Sequence, residues 1–145
     1  MELVVATKNK KKLEEIKEIL ADLNLKILSL AGYPRAPRII ENGKTFRENA
    51  IKKAVKIARF TQKLTLGEDS GLCVDFLEGK PGVYSSRFAG QDKSDRKNNL
   101  KLLKLLEGLP VNKRKAQYWC AVALAGKNGL VGTVEGKCSG FIGFT

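Results

Sequence analysis

Leu3-Val4-Val5-Ala6 ends at a polar turn, Thr7-Lys8-Asn9, and the chain then enters Lys10–Leu23, where Leu13, Ile16, Leu20 and Leu23 recur at helical spacing. A short apolar run with β-branched residues is the signature of a buried strand, and a repeat every three or four residues gives a helix one apolar stripe. Leu25–Leu30 then reads as a second strand. Strand, helix, strand in that order is satisfied most simply by parallel pairing with the helix packed across the sheet. This opening places the chain among the α/β folds.

The remaining segments extend the same plan. Tyr33–Arg38 contains Pro34 and Pro37 and reads as a loop. Thr45-Phe46-Arg47-Glu48 is a capping box, in which the threonine hydroxyl accepts from the Glu48 amide and the glutamate reaches back. It predicts a helix from Phe46 with Phe46, Ala50, Ala54, Ile57 and Ala58 on one face, the alanines packing closely on a sheet. Leu64–Glu68 and Leu72–Phe76 are predicted as two short strands flanking the acidic-serine-glycine run. Gly79–Gly90 reads as a loop, and Ser94–Leu106 as a helix with Leu100, Leu103 and Leu106 inward. Ala116–Ala125 alternates, with Tyr118, Cys120, Val122 and Leu124 on one side. Asn128-Gly129 before Leu130–Val134 predicts a hairpin, because both residues of such a turn favour positive φ. The expected fold is α/β: a mixed twisted sheet flanked by helices, parallel early and antiparallel late, in one domain.

Composition narrows the chemistry. The 145 residues include no histidine, which excludes Ser-His-Asp triads, Cys-His dyads, His-Glu-x-x-His zinc sites and histidine bases within them. Cys73, Cys120 and Cys138 are far apart and are expected to be plain buried thiols. No apolar run approaches the ~20 residues of a membrane span, and Glu2 stands where a signal peptide needs basic residues. No membrane association and a cytoplasmic location are therefore expected. The net charge of +12, from 27 basic and 15 acidic residues, favours anionic partners. Much of the lysine falls on predicted helices, as in Lys10-Lys11-Lys12, Lys52-Lys53 and Lys101/Lys104. The basic runs lack interleaved aromatics, with Tyr118 and Trp119 at core-like positions, so no stable nucleic-acid complex is expected.

Catalysis must therefore run on carboxylates, lysines, hydroxyls or a hard metal ion. In Glu68-Asp69-Ser70-Gly71 two carboxylates are adjacent, an arrangement that is costly unless a cation or a proton intervenes. A divalent ion such as Mg²⁺ takes such oxygen ligands, and Asp69 could then orient or deprotonate a water. The alternative is a polar turn hinged at Gly71. Thr7–Lys12, where a strand opens into a helix, offers backbone N–H groups, neutral donors and a lysine to a polyphosphate. The alternative there is an ordinary N-cap beside an exposed lysine run. Glu41 completes a metal site with Asp69 if its loop folds back; Glu48 is explained by the capping box; Lys53 is either functional or surface. Gly43-Lys44-Thr45 imitates the end of a phosphate-binding P-loop, but the glycine required five residues earlier is Arg38, so that motif is rejected.

Four stretches, in order, resemble the inosine/xanthosine triphosphate pyrophosphatase family, the Ham1-like enzymes. Thr7-Lys8-Asn9-Lys10-Lys11-Lys12 is similar to its T-x-N-x-x-K opening, and Glu41-Asn42-Gly43-Lys44-Thr45-Phe46-Arg47-Glu48-Asn49-Ala50 to its E-x-G-x-T-F-x-E-N-A. Glu68-Asp69-Ser70-Gly71-Leu72 is similar to its (D/E)-D-S-G-L, and Gly79–Arg87 to its G-x-P-G-x-Y-S-x-R. The related Maf-like pyrophosphatases open with a serine-rich, double-arginine turn that Thr7-Lys8-Asn9 does not fit. The resemblance implies an ITPase-like (anticodon-binding-like) α/β architecture and Mg²⁺-dependent hydrolysis of deaminated purine nucleoside triphosphates to monophosphate and pyrophosphate. It implies Asp69 as base or metal ligand, Glu41 as metal ligand, Thr7, Lys8, Asn9, Lys12 and Lys53 on the phosphates, Ser70 against substrate, and a homodimer. Family members continue past the equivalent of Thr145 with elements that mostly bind the base. On that ground residues 1–145 are expected to form a single nucleotide-pyrophosphatase domain incomplete at its C-terminal end, with apolar surface exposed there. A catalytically impaired nucleotide-binding remnant is the alternative to an active enzyme.

Overall fold

A computed structural model describes residues 1–145. Along the chain run β1 (Glu2–Val5), α1 (Lys10–Ile19), β2 (Lys26–Ser29), α2 (Phe46–Thr61), β3 (Thr65–Val74), α3 (Asp95–Leu105), β4 (Lys115–Gly126) and β5 (Gly129–Phe141). The five strands form one sheet in the order β2-β1-β3-β4-β5. β1 is parallel to both of its neighbours, with Val5 beside Ser29 on one side and beside Leu66 on the other. β4 and β5 are sheet neighbours joined by two residues, which makes them an antiparallel hairpin. The expected mixed sheet flanked by helices is therefore present. The chain divides into two compact units, Met1–Asp69 with Ala121–Glu135, and Ser70–Cys120 with Gly136–Thr145.

The first unit contains two apolar clusters. Val4, Ala6 and Ile57 pack with Leu28, Leu30, Tyr33, Ala36 and Ile39. Ala50, Ala54 and Ala58 of α2 meet Ala121, Ala123 and Ala125 of β4, flanked by Phe46, Ile51 and Val55. Side chains this small let a helix backbone approach a sheet closely. At Gly67 of β3 the approach is at its limit, since a Cβ there would stand 2.3 Å from the Ala50 carbonyl oxygen and 2.7 Å from the Ala54 nitrogen.

The start of α2 is held as the capping box requires, with one change. The Thr45 hydroxyl accepts from the Glu48 N–H at 3.1 Å, but the Glu48 carboxylate takes the Lys44 N–H at 2.7 Å instead of the amide of Thr45. Thr45→Ala is expected to cost about 1 kcal/mol, read as a lower urea midpoint at unchanged slope.

In the second unit Val74, Leu102, Leu106 and Ala116 form the core, with Leu72, Leu77, Phe88, Leu109 and Ile142 around it. Arg114 is buried there at 2 % exposure. Its guanidinium donates to the carbonyls of Leu106 at 2.7 Å, Ile142 at 3.0 Å and Gly143 at 2.6 Å, and stacks on the Phe144 ring.

Several local expectations are corrected. Thr65–Val74 is one continuous strand, so Asp69-Ser70-Gly71 lies within it and is not a turn between two strands. In α3 the buried residues are Asn98 and Leu102, while Leu100 is exposed; Leu106, just past the helix, is buried as expected. The reason is polar: Asn98 accepts from the Ala89 N–H at 2.8 Å and donates to the Ser86 carbonyl at 2.9 Å. A count of leucines alone misses that anchor. Ala121, Ala123 and Ala125 are the buried residues of the second half of β4, and Tyr118, expected at a core-like position, is exposed. The hairpin turns at Lys127-Asn128, Gly129 alone there having positive φ, and β5 runs on to Phe141. α1 stops at Ile19, and Gly79–Gly90 holds a 3₁₀ turn at Gly82–Arg87. Cys73 and Cys120 are half-buried and Cys138 is exposed, where buried thiols were expected. Leu130, Val131, Val134, Phe141 and Phe144 present the apolar surface expected late in the chain. No helix is long and apolar enough to cross a membrane.

Candidate active site

The parallel pairing of β1 with β3 brings two distant segments together. The Ala6 N–H donates to the Leu66 carbonyl at 2.9 Å, so the turn after β1 lies beside the stretch of β3 that leads to Glu68 and Asp69. Within that turn the Asn9 side-chain oxygen caps α1, accepting from the N–H groups of Lys11 at 3.0 Å and Lys12 at 3.3 Å. The Thr7 hydroxyl accepts from the Asn9 N–H at 3.1 Å. Both acceptors serve the turn itself. The groups it can offer an anion are donors, the Thr7 O–H and the Asn9 side-chain NH₂, at the positive end of the helix dipole. Lys8 stands exposed on the same turn.

Lys12 reaches across to β3 and pairs with Glu68 at 2.7 Å, with 28 % and 14 % of the two side chains exposed. Lys53 of α2 donates to the Glu68 carbonyl at 2.9 Å and is ion-paired with Glu41, from the loop that precedes the helix. Glu41 therefore does fold back toward β3. Asp69 accepts a hydrogen bond at Oδ2 from the Asn49 amide at 2.9 Å. Burial pushes the Asp69 carboxyl above its ordinary value; Asn49 and Lys53 pull it down, and Glu41 and Glu68 push it further up. Ser70, next in the chain, belongs to the other unit, where its hydroxyl lies 3.3 Å from that of Tyr118.

Of the residues picked out by sequence, Lys12, Glu41, Lys53 and Asp69 come together with Glu68, and Thr7 and Asn9 shape the adjoining turn. Reading the sequence missed Asn49. An asparagine beside Ala50 on the inward face of an amphipathic helix was its available signal, since a buried amide must find partners.

No three His, Cys, Asp or Glu side chains are arranged as a complete metal cage. The donor chemistry nonetheless suits a hard divalent ion delivered with phosphate. Such an ion needs one or two carboxylates and fills the rest of its octahedron with water and phosphate oxygens. Glu41 and Glu68 both raise the proton affinity of Asp69, so three carboxylates act on one locus.

The arrangement defines an α/β protein whose first unit sets lysines and carboxylates beside a donor-rich strand–helix turn. Residues 3–145 match the family model described as the Ham1 family, and the chain belongs to that family. It is 49% identical over 142 residues to the dITP/XTP pyrophosphatase of Desulforamulus reducens, covering 98% of this chain and 71% of that one. The dITP/XTP pyrophosphatase of Shouchella clausii is likewise 49% identical, over 97% of this chain and 71% of the relative. A solved HAM1 protein from Coxiella burnetii matches with a TM-score of 0.88 at 36% identity, over 100% of this chain and 74% of that one.

Proposed function

We propose that this chain is a Mg²⁺-dependent nucleoside-triphosphate pyrophosphohydrolase that cleaves deaminated purine nucleoside triphosphates to the monophosphate and pyrophosphate. The observation that carries the reading is Asp69, a half-buried carboxylate of raised proton affinity oriented by Asn49 and gathered with Glu41, Glu68, Lys12 and Lys53. The names of the relatives support the substrate class.

In this reading Lys12 and Lys53, with the donors of Thr7 and Asn9, neutralise and orient the triphosphate, and Lys8 adds charge at the rim. Both lysines hold carboxylates in the protein alone, so phosphate exchanges one anion for another at each ammonium. Glu41 and Asp69 would hold Mg²⁺, and the ion would supply charge neutralisation on phosphate oxygens and an acidified water. Asp69 orients the attacking water and takes its proton. The water oxygen forms the new bond to phosphorus, the α–β phosphoanhydride breaks, and pyrophosphate leaves with the bond's electron pair. Ser70 contacts the substrate.

The test is product analysis with inosine triphosphate. Pyrophosphate and inosine monophosphate are expected in equal amounts, with turnover abolished by EDTA and restored by excess Mg²⁺. Release of single phosphates would refute the proposal. Calorimetric binding of the Mg²⁺ nucleotide without product would identify a nucleotide-binding protein instead.

A further inference from the structure

We propose that Asn49 is the positioning residue for the Asp69 carboxylate, which it ties to the main chain of the Glu41 loop. The inference rests on the reading that Asp69 is the reactive carboxylate. Asn49 is 1 % exposed and lies in the first turns of α2. Its Oδ1 accepts from the Gly43 N–H at 2.8 Å, and its Nδ2 donates to Asp69 Oδ2 at 2.9 Å. The orientation of the amide is chemically determined. A backbone N–H can only donate and an ionised carboxylate can only accept, so the oxygen must face Gly43 and the nitrogen must face Asp69.

The fold clamps this bridge at both ends. A Cβ on Gly43 would stand 2.6 Å from Asn49 Oδ1 and 2.9 Å from the Glu48 Cβ, so the loop approaches the helix as closely as glycine permits. At the other end α2 is seated on β3 at Gly67, two residues before Asp69. Pinning Oδ2 sets the rotation of the carboxylate, and so the direction in which its other oxygen faces. The same asparagine links the loop bearing Glu41 to the strand bearing Asp69, so a single side chain registers both carboxylates. No other residue type does this in the same space. Aspartate lacks the donor, leucine lacks both polar atoms, and glutamine is one carbon too long.

The experiment uses the full chain and two variants. Asn49→Leu matches the shape but leaves the Gly43 N–H without its acceptor, and is the variant more prone to misfold. Asn49→Asp keeps that acceptor, replaces the donor toward Asp69 with an oxygen and adds a negative charge beside it. For whichever variant melts cooperatively, kcat with Mg²⁺ and inosine triphosphate is expected to fall about a hundredfold, while KM changes less than threefold. A purely structural role would instead lower the melting temperature and leave kcat per folded molecule unchanged. Independently of turnover, the Asn49 side-chain amide signals in a nitrogen–proton correlation spectrum are expected to shift in Asp69→Ala. Folded Asn49→Asp with kcat within twofold of wild type, an effect on KM alone, or amide signals unmoved by Asp69→Ala would each overturn the proposal. If the wild-type chain releases no pyrophosphate, the proposed reaction fails by itself, and the amide signals still decide whether Asn49 holds Asp69.

Discussion

Asp69→Asn is expected to lower kcat for inosine triphosphate by about a thousandfold, and at the same time to raise the melting temperature of the metal-free protein at neutral pH. The first effect follows from removing the base. The second follows from the sign of the Asp69 shift. Its carboxyl is raised from the ordinary value of 3.8, chiefly by burial. A carboxyl with a higher pKa in the folded state than in the unfolded chain binds its proton more tightly when folded. Stability therefore increases as pH falls through the raised value toward the ordinary one, and is lost as pH rises again. At neutral pH the wild-type protein carries the cost of a desolvated charge among other carboxylates. Asparagine has the same shape, accepts from Asn49 through its oxygen, and avoids that cost. The stabilisation should be largest near pH 7 in EDTA and shrink toward zero as the medium enters the carboxylate range. An equal melting-temperature difference at both ends of that range would contradict the electrostatic account. Unaltered pyrophosphate release would remove Asp69 from the mechanism. A catalytic group that destabilises the resting fold is the usual trade between stability and activity.

The largest stability effect is expected at a residue with no side chain. In Gly67→Ala the new methyl would lie 2.3 Å from the Ala50 oxygen and 2.7 Å from the Ala54 nitrogen, with the Ala54 Cβ at 3.1 Å. Two of these neighbours are helix backbone, which cannot rotate away as a flexible side chain can. Overpacking costs about 1–3 kcal/mol, and a clash with helix backbone belongs at the upper end, a large share of the ~5–15 kcal/mol by which domains are stable. The urea midpoint should fall accordingly. Any fraction that stays folded should lose turnover, because lifting α2 from β3 separates Asn49 and Lys53 from Asp69 and Glu68. Gly132→Ala is the internal control. A Cβ there meets nothing within 4 Å, so its effect should stay within ~0.5 kcal/mol. Equal losses in the two variants would mean that glycine's flexibility matters, and not the close approach at Gly67.

Much of this architecture was legible because the signals that encode it are local. The Leu3–Ala6 run and the stripe after it define a strand and a helix within twenty residues of chain. The Thr45 cap defines the start of α2 within four. The alanine face of α2 announced a close helix–sheet contact before the facing strand was known, and that face is the one buried. Asp69 and Glu68 stood out because adjacent carboxylates ask for an explanation.

What local signals could not supply was pairing. Lys12 and Glu68 are 56 residues apart and meet only because β1 inserts between β2 and β3. Lys53 was ambiguous between surface and site, and its ion pair with Glu41 depends on how the intervening loop returns to the sheet. Asn98 and Asn49 were both missed as anchors, since their position on an inward face signals a need for partners without saying which segment supplies them. The sequence by itself therefore determined most of the elements, their order, and which residue types were available for chemistry, because hydrophobic periodicity and capping act over a few residues; the continuity of β3 was not among them. Only the tertiary structure decided which charges meet and which oxygen of Asp69 is held. Those contacts depend on strand order and on backbone approach at Gly43 and Gly67, and these act between segments that the chain itself keeps far apart.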